Sequence, residues 1–264
     1  MSDPRSEPAL RRILVAIEPP TLTEQPVAAA RELARSLRLE LAGLFVENLD
    51  LLRLAALPIT REVGAVSGAV RAIELTDVEH SLRAQAEQVR TILSSLAAEL
   101  DLPWSFRVER GDLLERVLAE LSDTAAAVFA PAPRKVHLAV RLAAGAPPLR
   151  QILVVHDPTP AGGRAANAAQ HLSLTSGAAL TVAIVSREEK PLALLAEKAV
   201  ESLPGLRADA KCLRLADTSI EELAKAARAT ACDMLVLSTN VFPSQRREFR
   251  ALLQRVRCPV AVVG

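Results

Sequence analysis

Tyrosine is absent from this 264-residue sequence, tryptophan occurs once, and aromatics make up only 2% of it. That scarcity removes the stacked rings on which proteins hold single-stranded nucleic acid. It also leaves a core to be built from Leu, Val, Ile and Ala. Charge of one sign is missing too. The 32 Lys and Arg against 31 Asp and Glu leave a net charge of +1, too little for a long-range field that draws nucleic acid or an anionic membrane. No apolar run approaches the ~20 residues of a membrane span, so neither nucleic acid nor membrane insertion is expected. Met1–Leu10 is polar and proline-rich, without the apolar stretch of a secretory signal. Cys212, Cys232 and Cys258 are widely separated and odd in number. They fit a reduced cytoplasmic protein, not a disulfide framework or a zinc site.

Catalytic signatures are missing as well. There is no G-x-S-x-G, H-E-x-x-H, Walker A or G-x-G-x-x-G pattern. His80, His137, His156 and His171 show no ligand spacing with one another, with a Cys or with a carboxylate. His156-Asp157 suggests proton chemistry, but no nucleophile motif accompanies it. The expectation is therefore no enzyme activity, no metal and no cofactor.

What is present is a repeat. Arg12-Ile13-Leu14-Val15-Ala16-Ile17-Glu18-Pro19 returns as Gln151-Ile152-Leu153-Val154-Val155-His156-Asp157-Pro158. A shift of 139 residues places Ala29-Ala30 on Ala168-Ala169, Leu33 on Leu172, Leu41 on Leu180 and Val46 on Val185. The order of patterns is also kept: aliphatic run, acid-Pro loop, Ala-rich helix, second aliphatic run. A tandem duplication is read from this, with modules at 1–148 and 149–264.

In the first module the unbroken aliphatic run 12–17 reads as a strand buried on both faces, as in a parallel sheet. A helix follows with Pro26 in its first turn and Ala29, Ala30, Leu33, Ala34 and Leu37 at helical spacing. Leu41–Val46 is the second strand. Residues 49–75 have no counterpart of similar length in the second module and read as a partly helical insertion, lying over the sheet edge or forming a lid. Thr76-Asp77-Val78-Glu79 reads as a capping box for a long helix with Leu82, Ala86, Val89, Leu93, Leu96 and Leu100 on one face. A third strand is expected at 104–108, a helix capped by Asp112 to about Ser122, and a fourth strand at 126–130. The remaining residues hold a short helix over 134–144 but no fifth strand, since a parallel strand needs a crossover of a dozen or more residues.

The second module is expected to run as strand 151–155, a loop holding Gly162-Gly163, helix 165–176, strand 180–185, helix 190–202 and strand 208–215. A helix opened by the capping box at Ser219–Glu222 follows, to about Thr230. Strand 233–238, helix 244–257 and strand 258–263 complete it. Pro259 cannot donate to a ladder, so full pairing in the last strand starts at Val260. The fold class is α/β: tandem Rossmann-like modules with mainly parallel sheets.

The opening Arg12–Pro19, the Gly111-Asp112 step after a long helix, and the ending Asp233–Ser238 with Leu253–Val263 together resemble the universal stress protein family. The resemblance spans nearly the whole chain as two copies, the C-terminal one matching better. It implies modules of the adenine-nucleotide α-hydrolase-like type. It further implies a last strand that often makes a dimer contact, so the expected partner is a second copy or an internal pseudo-dimer. Nucleotide-binding members carry Gly-x2-Gly-x9-Gly-Ser/Thr after the fourth strand, whose N–H groups wrap phosphates. This sequence has Pro131-Ala132-Pro133-Arg134 in the first copy. The second has Ser238-Thr239-Asn240-Val241-Phe242-Pro243-Ser244, with no glycine before Gly264.

The candidate ligand-facing residues are Glu18 and Asp157, at the carboxyl ends of the two first strands where open α/β sheets bind ligands, together with Ser238, Thr239 and Asn240 beside Asp157. As loop residues, the acids would instead cap the next helix. Arg246 and Arg247 could clamp an anion in place of the glycine loop, or form the solvated face of an amphipathic helix. The resulting expectation is a cytoplasmic, non-enzymatic protein of stress response or regulation acting through contacts with a protein partner. The other reading is a sensor of ATP, ADP or AMP with a non-standard pocket.

Overall fold

The computed structural model describes residues 12–19, 24–57, 59–63, 68, 70–121, 124–129, 148–186, 191, 194, 197 and 210–264. Among these, the first half contains β1 (Arg12–Ile17), α1 (Glu24–Leu37), β2 (Glu40–Asn48), α2 (Leu49–Ala55), β3 (Arg61–Val63), β4 (Val70–Ala72), α3 (Leu75–Leu100), β5 (Trp104–Gly111), α4 (Leu113–Leu118) and β6 (Ala126–Phe129). The second half contains β7 (Gln151–His156), α5 (Pro160–Ser176), β8 (Ala179–Val185), β9 (Lys211–Leu215), α6 (Ile220–Thr230), β10 (Met234–Ser238), α7 (Arg246–Arg255) and β11 (Val260–Val263).

The described strands form one nine-stranded sheet in the order β5-β2-β1-β6-β11-β10-β7-β8-β9, plus the two-stranded ribbon β3-β4. Pairing in the large sheet is parallel except at its centre, where β11 meets β6 antiparallel, Val260 opposite Phe129 and Val263 opposite Ala126. The four strands of the first half follow the order third-second-first-fourth. So do the first four of the second half, with β11 added beyond the fourth. Both orders are those of parallel neighbours, which need crossover connections rather than hairpins.

Successive residues of each strand face opposite sides, and both sides are buried. Ile13, Val15 and Ile17 of β1 join Ile152 and Val154 of β7 and Ala261 and Val263 of β11 under α1, α3 and α5. Leu14, Ala16, Leu153, Val155, Val260 and Val262 join the other layer, under α4, α6 and α7. The cores therefore divide by sheet face, and each runs through both halves. At Gly43 in β2, an added Cβ would sit 2.3 Å from Leu93 Cδ1 and 2.7 Å from Phe106 Cδ2, which fixes how close α3 lies to the sheet.

Three expectations are corrected. The helix α3 starts at Leu75, with Glu74 in extended geometry at its N-cap and no side-chain cap. Thr76–Glu79 therefore lie inside its first turn and make no capping box. Gly162 and Gly163 belong to α5, because Thr159 caps it and Pro160 takes the first helical position, where its missing N–H costs nothing. The last strand offers no edge to another copy: β10 and β6 occupy both its sides. The helices expected over 134–144 and most of 190–202, the missing fifth strand of the first half, and Pro131 and Pro133 lie outside the described residues. The 49–75 insertion is α2, which packs on α3 and β2, followed by the β3-β4 ribbon.

Candidate functional site

A doubly wound sheet presents its ligand crevice at the carboxyl ends of the strands, where the strand order turns back. In the second half that point lies between β7 and β10, and Asp157, Ser238, Thr239 and Asn240 converge there. In the first half it lies between β1 and β6, beside Glu18. The antiparallel junction makes the two sets of strands run in opposite directions, so the two crevices open at opposite ends of the common sheet. The five candidate residues are thus four together and one apart.

Asp157 is 8% exposed and Ser238 fully buried. The Asp157 carboxylate is already engaged. Its Oδ1 accepts from the Thr159 backbone N at 3.1 Å and from the Thr159 hydroxyl, and its Oδ2 accepts from the Ser238 hydroxyl. Thr159 Oγ1 in turn accepts from Gly162 N at 3.1 Å, as the cap of α5, and from Asn240 Nδ2 at 2.8 Å. A Cβ on Gly162 would lie 2.2 Å from the Asp157 carbonyl oxygen and 2.7 Å from its carboxylate. Only glycine lets the first turn of α5 come this close to the acid. Thr159, not Asp157, caps α5, and Asp157 holds that cap in place. Ser238 ties β10 to β7, Asn240 reaches across the mouth, and Thr239 donates its backbone N to Val263 O at 3.1 Å.

After β10 the chain turns on itself: Val241 N and Phe242 N donate to Ser238 O at 3.2 and 3.0 Å. Phe242 is buried, stacked on Phe129 at 5.3 Å between ring centroids and edge-on to Phe249 at 5.6 Å. These residues do not fit a triphosphate. Two N–H groups that a phosphate loop would present are spent on Ser238, Pro243 has none, and the ring of Phe242 anchors the loop in the core.

Glu18 keeps different company. It is half-buried and accepts from Asn48 Nδ2. Burial raises its pKa from the ordinary 4.5, opposed by the Asn48 hydrogen bond and the nearby Arg250. Asn48 Oδ1 also caps α2 through Asp50 N at 2.8 Å. Asp112 caps α4 through Leu114 N at 3.0 Å, as its sequence position implies. Arg246, at the start of α7, reaches across from the second half to pair with Asp50 Oδ2 at 2.8 Å and Asp112 Oδ2 at 2.6 Å. An anion-clamp role for Arg246 would require breaking these pairs. Arg247 is exposed. Burial lowers the pKa of His156, opposed by Asp157. Among the described residues no group of three or more His, Cys, Asp or Glu could hold a metal ion, and no helix is long and apolar enough to cross a membrane.

Sequence reasoning separated the cysteines, yet Cys232 and Cys258 lie with their sulfurs 3.4 Å apart. The signal was available: each stands two residues before one of two neighbouring parallel strands, β10 and β11.

This crevice geometry on a doubly wound sheet defines a Rossmann-like class. No family model matches the sequence, and no curated protein matches it. Solved structures do. A universal stress protein from Archaeoglobus fulgidus DSM 4304 aligns over 96% of each chain with a TM-score of 0.51 at 13% identity. A universal stress protein in complex with cAMP covers 45% of this chain and 98% of its own, with a TM-score of 0.37 at 19% identity. The cytoplasmic domain of a prokaryotic cation chloride cotransporter aligns over 96% of this chain and 94% of its own, with a TM-score of 0.46 at 10% identity. The chain has the fold of the universal stress proteins, as the ends of its sequence imply.

Proposed function

We propose that this chain is a non-enzymatic, cytoplasmic protein of the universal stress protein type, built by duplication of one module and acting in stress response or regulation through protein contacts. The observation that carries this reading is the closed crevice of the second half. Its acid, hydroxyl and amide are hydrogen-bonded to one another, and the loop after β10 is anchored in the core by Phe242. A surface for contacts is offered by the 49–75 segment, where Leu49, Leu51, Leu54, Leu57, Ile59 and Val70 are all exposed. Apolar side chains gathered in this way favour interaction over solvation. The repeated strand order on either side of the β6-β11 junction supports the duplication and an internal pseudo-dimer.

Native mass spectrometry of the purified chain with ATP, ADP and AMP tests this reading. The expected result is no bound nucleotide and no shift in Tm. Binding abolished by Asp157→Ala or Asn240→Ala would instead establish the other reading, a nucleotide sensor. The exposure of Asn240 at the mouth of the crevice favours that alternative. Glutamate substitutions at Leu54 and Ile59 should abolish partner binding while leaving Tm nearly unchanged, since both side chains already face solvent.

A further inference from the structure

Two of the three cysteines meet at the end of the sheet opposite Asp157. Cys232 follows α6, whose C-terminal turn closes through the left-handed Ala231 (φ 48°) and Cys232 N to Ala227 O at 3.2 Å. Cys258 follows α7. The register that sets Leu235 beside Val260, counted back along both strands, brings Cys258 level with Asp233, one residue from Cys232. The sulfurs are 3.4 Å apart, and both side chains are buried, 9% and 4% exposed. Closing to the ~2.0 Å of a disulfide needs a movement of about 1.4 Å, within reach of side-chain rotation and a small backbone adjustment. The two sulfurs also differ. The Cys258 hydrogen bond lowers the pKa of Cys232, opposed by burial, whereas Cys258 itself is held well above the ordinary thiol value, first by Cys232 and then by burial. The pair is thus asymmetric, with Cys232 the sulfur favoured for attack and Cys258 its neighbour for resolution.

We propose that Cys232 and Cys258 form a reversible dithiol–disulfide couple that reacts with hydrogen peroxide and ties the entry of β10 to the entry of β11 around α7. In the first step the Cys232 thiolate attacks the peroxide oxygen. The O–O bond breaks, Cys232 becomes a sulfenic acid, and the leaving oxygen departs as water after taking a proton. In the second step the Cys258 thiol loses its proton and its sulfur attacks Cys232. The S–O bond breaks, a second water leaves, and the disulfide remains. One peroxide is reduced and two thiols are oxidised, with two waters formed. A small dithiol reverses the bridge by exchange, itself becoming the disulfide. Cys212 lies apart from the pair, partly buried, with its pKa raised by burial, and serves as an internal reference.

The test is to expose the folded, reduced full-length chain to hydrogen peroxide, quench it, denature it and alkylate it, then measure intact and peptide masses. The expected result is a chain lighter by two hydrogens that takes one alkyl group, at Cys212. A peptide pair joined through Cys232 and Cys258 accompanies it, and dithiothreitol restores three alkylation sites. In the Cys258→Ser chain, dimedone should trap the sulfenic acid at Cys232, while Cys212→Ser should leave the bridge intact. Three alkylatable thiols after peroxide, or a bridge that includes Cys212, would overturn the proposal. The wild-type measurement decides even if a variant fails to fold.

Discussion

Asp157 shows how one side chain can read as chemistry and serve as structure. A buried carboxyl group needs partners to satisfy it, and here the Thr159 backbone, the Thr159 hydroxyl and the Ser238 hydroxyl supply them. Removing it leaves those donors without their acceptor. Asp157→Ala should therefore lower stability by about 1–3 kcal/mol, the range for leaving buried donors unsatisfied, measured by urea unfolding. An acid held ready for a ligand would give the opposite sign in the ligand-free protein, because a poised site is commonly a strained one. Glu18 makes a pH prediction. Its folded pKa is raised, chiefly by burial, so the folded state binds its proton more tightly than the unfolded state does. Its stabilising contribution is complete below 4.5 and is lost as pH rises through the raised folded value. Glu18→Gln should remove that loss. The stability difference between variant and wild type should grow in the variant's favour as pH climbs from 4 to 7, in a series of thermal melts. A difference that shrinks over this window would show that the Arg246 and Arg250 charges outweigh burial.

Elements were legible in the sequence wherever the hydrophobic period was long and unbroken. The strands at 12–17, 151–156 and 234–238 announce themselves as aliphatic runs, and the buried face of α3 as a row from Leu82 to Leu96. Helix starts were read less well, because a cap is decided by backbone geometry as much as by residue type. Ser219 and Asp112 cap as their positions suggest. Thr76 does not, since the chain had already turned helical at Leu75. In α5, Thr159-Pro160 was the true start signal, and Gly162 marked close approach to Asp157 rather than a loop. What the sequence could not display was tertiary: the reach of Arg246 to Asp50 and Asp112, and the Phe129, Phe242 and Phe249 cluster. That cluster spends three of the five phenylalanines at one junction of β6, α7 and the β10–α7 loop. Phe242→Ala should cost about 3–5 kcal/mol. Arg246→Ala should cost about 1 kcal/mol, since the Arg246 side chain and its Asp50 partner are open to solvent and only Asp112 is largely buried. Chemical denaturation of the two variants side by side should separate them clearly. Equal losses would mean that the ion pairs, not the rings, hold α7 in place.

At the scale of the whole molecule, the decisive feature is that β11 sits fifth in a sheet of nine described strands. The first half has β6 as its inner edge, and the second half supplies the strand that covers it. The helices α1 and α5 pack together across the same seam, with Arg35 donating to Thr175 O at 2.9 Å. Both apolar layers are continuous through the seam, so neither half can unfold without uncovering the other's core. The intact chain should therefore melt in one calorimetric transition, with van't Hoff and measured enthalpies in agreement. Severing the chain tests the same logic harder. Residues 149–264 alone would expose β11, an apolar edge of Val260-Ala261-Val262-Val263, and exposed apolar edges seek partners. That fragment should self-associate, while residues 1–148 alone, with β6 uncovered, should be poorly soluble. Mixed during refolding, the two should give a soluble one-to-one complex, because the antiparallel β6-β11 register satisfies both edges at once. Analytical ultracentrifugation reads all three states. A fragment 149–264 that stays monomeric with native circular dichroism, and that ignores added 1–148, would mean the halves are independent domains and the shared sheet is incidental to their stability.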